Sequence, residues 1–127
     1  MVKSYIHVLE ERYRDQLTVD YILEDRFFSY HIVPMGLQML IENAVKHNQI
    51  DEAHCLKITI RSQEQTIIVE NNLNARKYPV ESTGKGLENL RMRYEIITDR
   101  PLRINKSDID FRVELPIIES PDESINN

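Results

Sequence analysis

Residues 37–49, LQMLIENAVKHNQ, carry two signals at once. Leu37, Leu40, Ile41, Ala44 and Val45 recur at the spacing of a helix that buries one side against a sheet. Glu42, Asn43, Lys46 and His47 interrupt that apolar pattern. At about 3.6 residues per turn, Asn43 lies one turn before Lys46 and His47, and the three share a narrow polar face. Taken alone, Lys46 reads as ordinary solvated surface. Asparagine in mid-helix asks for more, because its side chain competes for backbone hydrogen bonds and weakens the helix. One return for that weakness is a carbonyl oxygen offered to a hard cation such as magnesium, which takes oxygen ligands and keeps several waters.

Working outward, Pro34 stands where this helix can begin. Upstream, Tyr5, Ile6, Leu9, Tyr13 and Leu17 repeat at helical spacing, with Glu10, Glu11, Arg12 and Arg14 on the opposite side, which predicts a helix over residues 3–15. LTVDYIL alternates as a strand does. Downstream, CLKITIRS and QTIIVENN are strand-like runs separated by a polar turn, which predicts a hairpin. LNARKYPVESTGKG follows as a polar loop of about a dozen residues, a length usually kept for function. LENLRMRYEIIT returns to helical period through Leu87, Leu90, Tyr94 and Ile97. PLRINK and DFRVELPI read as a closing pair of strands, and ESPDESINN as a polar, disordered tail. Strand runs adjoin each other twice, so the expected architecture is a two-layer α/β sandwich with antiparallel strand pairs and the helices stacked on one face.

Bulk properties bound the answer. The 127 residues make one domain, and 41% hydrophobic with 29% charged content is ordinary for a globular chain. A net charge of −5 argues against nucleic acid, which needs a basic stripe. The single cysteine, Cys55, excludes an internal disulfide and fits a reducing compartment. No apolar run is long enough to span a membrane, so no membrane contact is expected of these residues.

A second cluster, STGKGLENL, places Gly84 and Gly86 before the last helix. Glycines there let the backbone turn tightly and approach a ligand. The free N–H groups and dipole of the helix that follows favour an anion such as phosphate. Neither a Walker loop nor a dinucleotide fingerprint is present. A cation site in one cluster and a phosphate site in the other together suggest a magnesium–nucleotide pocket.

LQMLIENAVKH, IIVENN and ESTGKGLENLRMRYEIIT together resemble the catalytic ATP-binding domain of bacterial sensor histidine kinases, within the GHKL or Bergerat-fold ATPases. The likeness is nearest to kinases that work with LytTR-type response regulators, in the versions common in Bacteroidetes. It covers the chain from YIHVLEERY to FRVELPI. The resemblance implies a mixed sheet with about three helices on one face, residues 1–16 as the end of a preceding helical region, 17–118 as the catalytic domain and 119–127 as the tail. It implies ATP and Mg2+ as ligands, with Asn43 on the metal and Glu42 polarising the attacking group or orienting a metal-bound water. Lys46 and His47 would lie near the phosphates. Thr83, Gly84, Lys85, Gly86, Leu87 and Asn89 belong to the glycine box around them, and residues 73–83 to a lid.

This sequence departs from the family in three places. Asn71 stands where many relatives carry an aspartate that binds the adenine amino group, and the two following glycines are missing. Asparagine accepts such a bond without the charge that strengthens it. Met39 occupies a position where other branches hold an acid or asparagine, and Lys85 replaces an apolar residue. None of His7, His31, His47 and His54 sits in a phosphoacceptor context. The resemblance therefore implies a cytoplasmic piece of a longer kinase, anchored in the inner membrane, whose acceptor histidine lies on its own dimerisation helices. Two other classes share the fold: a non-catalytic nucleotide-sensing or docking module, and an anti-sigma-factor serine kinase.

Overall fold

The computed structural model describes residues 2–22, 35–74 and 85–117. The proline expected to open the central helix, the lid from residue 75 onward with Thr83 and Gly84, His31 and the polar tail lie outside the described residues.

Helix α1 (Val2–Tyr13) buries Ile6 and Leu9. It stops two residues short of the expected end because Arg14 takes a φ of 51°, the left-handed region that no L-residue continues as a helix. A single 3-10 turn (Arg14–Gln16) leads into strand β1 (Leu17–Ile22). Helix α2 (Met35–His47) is the stretch quoted at the outset. Strands β2 (Leu56–Gln63) and β3 (Thr66–Asn72) form the expected hairpin, turning through Glu64 at a φ of 56°. Helix α3 (Lys85–Ile97) begins within the predicted loop, so Lys85 and Gly86 lie in its first turn, where Glu88 complements the helix dipole. Strands β4 (Arg103–Lys106) and β5 (Asp110–Pro116) close the chain, with Pro101 and Leu102 left outside the ladder.

The sheet runs β1-β2-β3-β5-β4. Both sequential pairs, β2 with β3 and β4 with β5, are antiparallel, as is β3 with β5, while β1 lies parallel to β2 with Leu17 opposite Leu56. The sheet is therefore mixed, and its helices share one face. Leu17, Val19, Leu56, Ile58, Ile60, Ile67, Val69, Val113 and Leu115 point to that face and meet Leu37, Leu40, Ile41, Ala44, Leu90 and Tyr94 in one core.

The opposite face is polar and carries ion pairs such as Lys57–Asp20 at 3.5 Å and Arg61–Glu70 at 3.8 Å. The first pair is exposed and the second half-buried, and neither is shielded enough from water to be of more than small energetic value. Ile68 is an apolar residue on this face. It is buried, flanked in register by Arg61 and Glu114, whose long stems can cover it in the middle of the sheet.

Candidate functional site

Helices α2 and α3 pack against each other, and a glycine stands at two of their contacts. A methyl group at Gly36 would lie 3.4 Å from Leu90 Cδ1, and one at Gly86 would lie 3.6 Å from Met39 Sδ. Position 36 thus faces 90 and position 39 faces 86, so the helices run antiparallel. Continuing along α2 by one turn from Met39 reaches Asn43, on the same face. The N-terminal turn of α3 is therefore directed at the stretch of α2 that carries Asn43. Gly86 of the second cluster thus lies against Met39, one turn of α2 from Asn43 of the first.

Around this junction the residues divide. Asn43 is half-buried, whereas Glu42, Lys46 and His47 are exposed. Glu42 accepts a hydrogen bond from Gln38 Nε2 at 3.2 Å. It also lies close enough to α1 to act on Tyr5, whose pKa is raised chiefly by burial and then by the Glu42 charge. Glu42 thus lies within electrostatic reach of α1. Lys85, Gly86 and Asn89 are exposed on the first turns of α3, and Leu87 is half-buried against the core. Among the described residues there is no cluster of three acidic, histidine or cysteine side chains able to hold a metal by itself. A magnesium ion that keeps its waters and arrives with a phosphate requires none.

Asn71 sits at the end of β3 on the helix-facing side, between Ile58 and Phe111 in register, and is 5% exposed. Its Nδ2 donates to the Asn72 carbonyl at 2.7 Å. That bond orients the carboxamide and leaves Oδ1 as the end that can accept from a ligand.

Three asparagines that the sequence did not single out build the frame. Asn48, at the end of α2, is fully buried. Asn72 Oδ1 accepts the Lys57 N–H at 2.7 Å and its Nδ2 donates to the Cys55 carbonyl at 2.9 Å. Asn74 Nδ2 donates to the same carbonyl at 3.1 Å. The density of asparagine in ENNLN, and an asparagine directly after a helix, were the available signals. His7 is exposed on α1 beside Glu11 at 3.2 Å, and His54 is held in a turn by Asp51.

No protein-family model matches the chain. It is 28% identical over 109 residues to the sensor histidine kinase/phosphatase LytS of Staphylococcus aureus, an alignment covering 72% of this chain and 19% of that protein. It is 26% identical over 110 residues to the sensor protein LytS of Staphylococcus saprophyticus, covering 74% and 19%. The chain spans about a fifth of the length of these curated relatives. Among solved structures, the catalytic domain of histidine kinase ThkA in a nucleotide-free form superposes with a TM-score of 0.53 at 16% identity, over 91% of each chain. The fold is that of histidine kinase catalytic domains. The blue-light activated histidine kinase EL346 of Erythrobacter litoralis aligns at a TM-score of 0.55 and 12% identity, over 91% of this chain and 39% of that one. Among the described residues, no helix is long and apolar enough to cross a membrane.

Proposed function

We propose that this chain is the ATP-binding catalytic domain of a sensor histidine kinase. One observation carries the reading: α2 packs antiparallel on α3 with Gly86 against Met39, one turn before Asn43, which brings a candidate metal ligand near a candidate anion-binding turn. The likeness in fold to histidine kinase catalytic domains supports it, as does the sequence likeness to LytS proteins.

In this reading Asn43 Oδ1 ligates Mg2+, and the first turn of α3 with Gly84, Gly86 and Thr83 surrounds the phosphates. Lys46, His47, Lys85 and Asn89 line their approach, and Asn71 Oδ1 accepts from the adenine amino group. The reaction transfers the γ-phosphoryl group to a histidine on dimerisation helices outside these residues. An N–P bond forms as the bond to the β,γ-bridging oxygen breaks, and ADP leaves. Exposed Glu42 polarises the imidazole or orients a metal-bound water. Such catalysis rests on positioning and charge stabilisation, which the fold supplies, while the nucleophile comes from elsewhere. The parent protein would be membrane-anchored with this domain in the cytoplasm, passing its phosphoryl group to a LytTR-type regulator.

Calorimetric titration with a non-hydrolysable ATP analogue tests this directly. Saturable binding that requires magnesium is the expected result, and absence of binding at millimolar ligand would overturn it. The neutral Asn71 favours a second reading, a nucleotide-sensing or docking module with a weakened adenine contact. That reading predicts magnesium-independent or undetectable binding in the same titration.

Gly86 offers an independent check. The methyl group of Gly86→Ala would meet Met39 at an ordinary van der Waals distance, and alanine favours a helix over glycine by about 1 kcal/mol. The variant should hold or raise its melting temperature. If phosphates approach the backbone here, it should also weaken binding of the magnesium–ATP analogue about tenfold. Unchanged affinity would mean that Gly86 serves only the helix packing.

A further inference from the structure

The exit of β3 is tied down by side chains as well as by the sheet ladder. Asn48 follows the last residue of α2 and is 1% exposed, so both ends of its carboxamide must find partners. Its Nδ2 donates to the Ala44 carbonyl at 2.8 Å, one of the carbonyls that the end of a helix leaves open. Its Oδ1 accepts the Asn74 N–H at 2.6 Å, across 26 positions of sequence. The next residue repeats the grip, for Gln49 N–H donates to the Asn74 carbonyl at 2.7 Å. Asn74 is therefore held through its N–H, its carbonyl and its side chain, the last on the Cys55 carbonyl.

A helix cap needs only the Ala44 bond. The Asn74 bond has a different consequence. Ala44 directly follows Asn43, and Asn74 lies three residues after Asn71. A single buried amide thus joins the helix carrying the candidate metal ligand to the strand carrying the candidate adenine acceptor. We propose that Asn48 is a positioning residue that fixes the separation of Asn43 and Asn71, and so the fit of the site to a magnesium–adenine nucleotide. The proposal rests on the nucleotide-site reading above.

Asn48→Ser separates the two roles. A serine hydroxyl can still bond the carbonyl four residues back, but it is too short to reach the Asn74 N–H. The variant is compared with the unaltered chain and with Ile60→Val, a core change remote from Asn48, at a temperature where circular dichroism shows all three folded. Each is titrated with the magnesium complex of a non-hydrolysable ATP analogue, while hydrogen exchange is followed at the Asn74 amide.

Asn48→Ser should exchange that amide faster and bind about tenfold more weakly or worse, as losses of supporting hydrogen bonds do. Ile60→Val should bind as the unaltered chain does despite its lower thermal stability. Equal binding by Asn48→Ser, or equal weakening by Ile60→Val, overturns the positioning role and leaves the nucleotide reading standing. No binding by the unaltered chain overturns the nucleotide reading and this inference with it. If Asn48→Ser does not fold, the unaltered chain still decides. Nucleotide must then slow exchange at the Asn74 amide, and unchanged exchange overturns the proposal.

Discussion

Asn43→Ala should abolish magnesium-dependent ATP binding while leaving the domain folded. Asn43 lies mid-helix and half-buried, where asparagine is a poor helix former and alanine the best. Replacing it costs the helix nothing in propensity. Among the described residues its carboxamide has no hydrogen-bond partner whose loss would offset that gain. The melting temperature should therefore hold or rise. Binding should behave oppositely. A single protein oxygen on a magnesium ion that otherwise keeps water and phosphate oxygens cannot be replaced by a methyl group, and a loss of about a hundredfold or more is expected. Calorimetry with and without magnesium reads the effect, and circular dichroism confirms the fold. Unfolding of the variant, or binding equal to that of the parent chain, would remove Asn43 from the metal site.

The second large effect concerns alkaline stability. Tyr94 on α3 is 1% exposed, and among the described residues its buried hydroxyl has no hydrogen-bond partner. Burial pushes its pKa from 10.0 up to about 12. Between those values the folded chain keeps a phenol proton that the unfolded chain has released, so each step upward in pH favours unfolding. The contribution is fully present below pH 10 and is lost as pH rises through about 12, a change of about 2–3 kcal/mol.

Tyr94→Phe keeps the ring and removes both the proton and the orphaned hydroxyl. Near pH 8 it should be as stable as the parent or more stable by about 1 kcal/mol, because an unsatisfied buried polar group is removed. Across pH 10 to 12 its urea midpoint should fall less steeply than that of the parent. Parallel curves for the two proteins would show that Tyr94 is not the group responsible.

Much of this architecture was legible because one-sided burial writes itself into residue order. Leu56, Ile58 and Ile60 alternate with Lys57, Thr59 and Arg61, which marks β2 as a strand with one wet face. Leu37, Leu40, Ile41 and Ala44 mark α2 as firmly. Alternation names a strand but not its neighbour, so the parallel pairing of β1 with β2 left no local trace. The helix start at Lys85 was hidden because glycine and lysine inside a polar run carry the same composition as a loop.

The candidate site divides in the same way. Asn43 stood out against its own helix, and Gly86 against the loop before it. Their convergence depends on an antiparallel crossing that no short window contains. Asn48 was overlooked because its decisive bond is to Asn74, and a residue whose partner is remote looks like any polar residue after a helix.

The parallel alignment of β1 with β2 also orders events in time. The β2–β3 turn joins strands whose ends are adjacent in the chain, and β4 with β5 likewise, so these hairpins can zip within about 1–10 microseconds. Leu17 meets Leu56 only after α2 has been laid between them, and the entropy of closing that long path must be met first. Pulse-labelled hydrogen exchange during refolding should therefore protect the amides of β2 and β3 ahead of those of β1. The strand that leads the sequence joins a hairpin that is already formed.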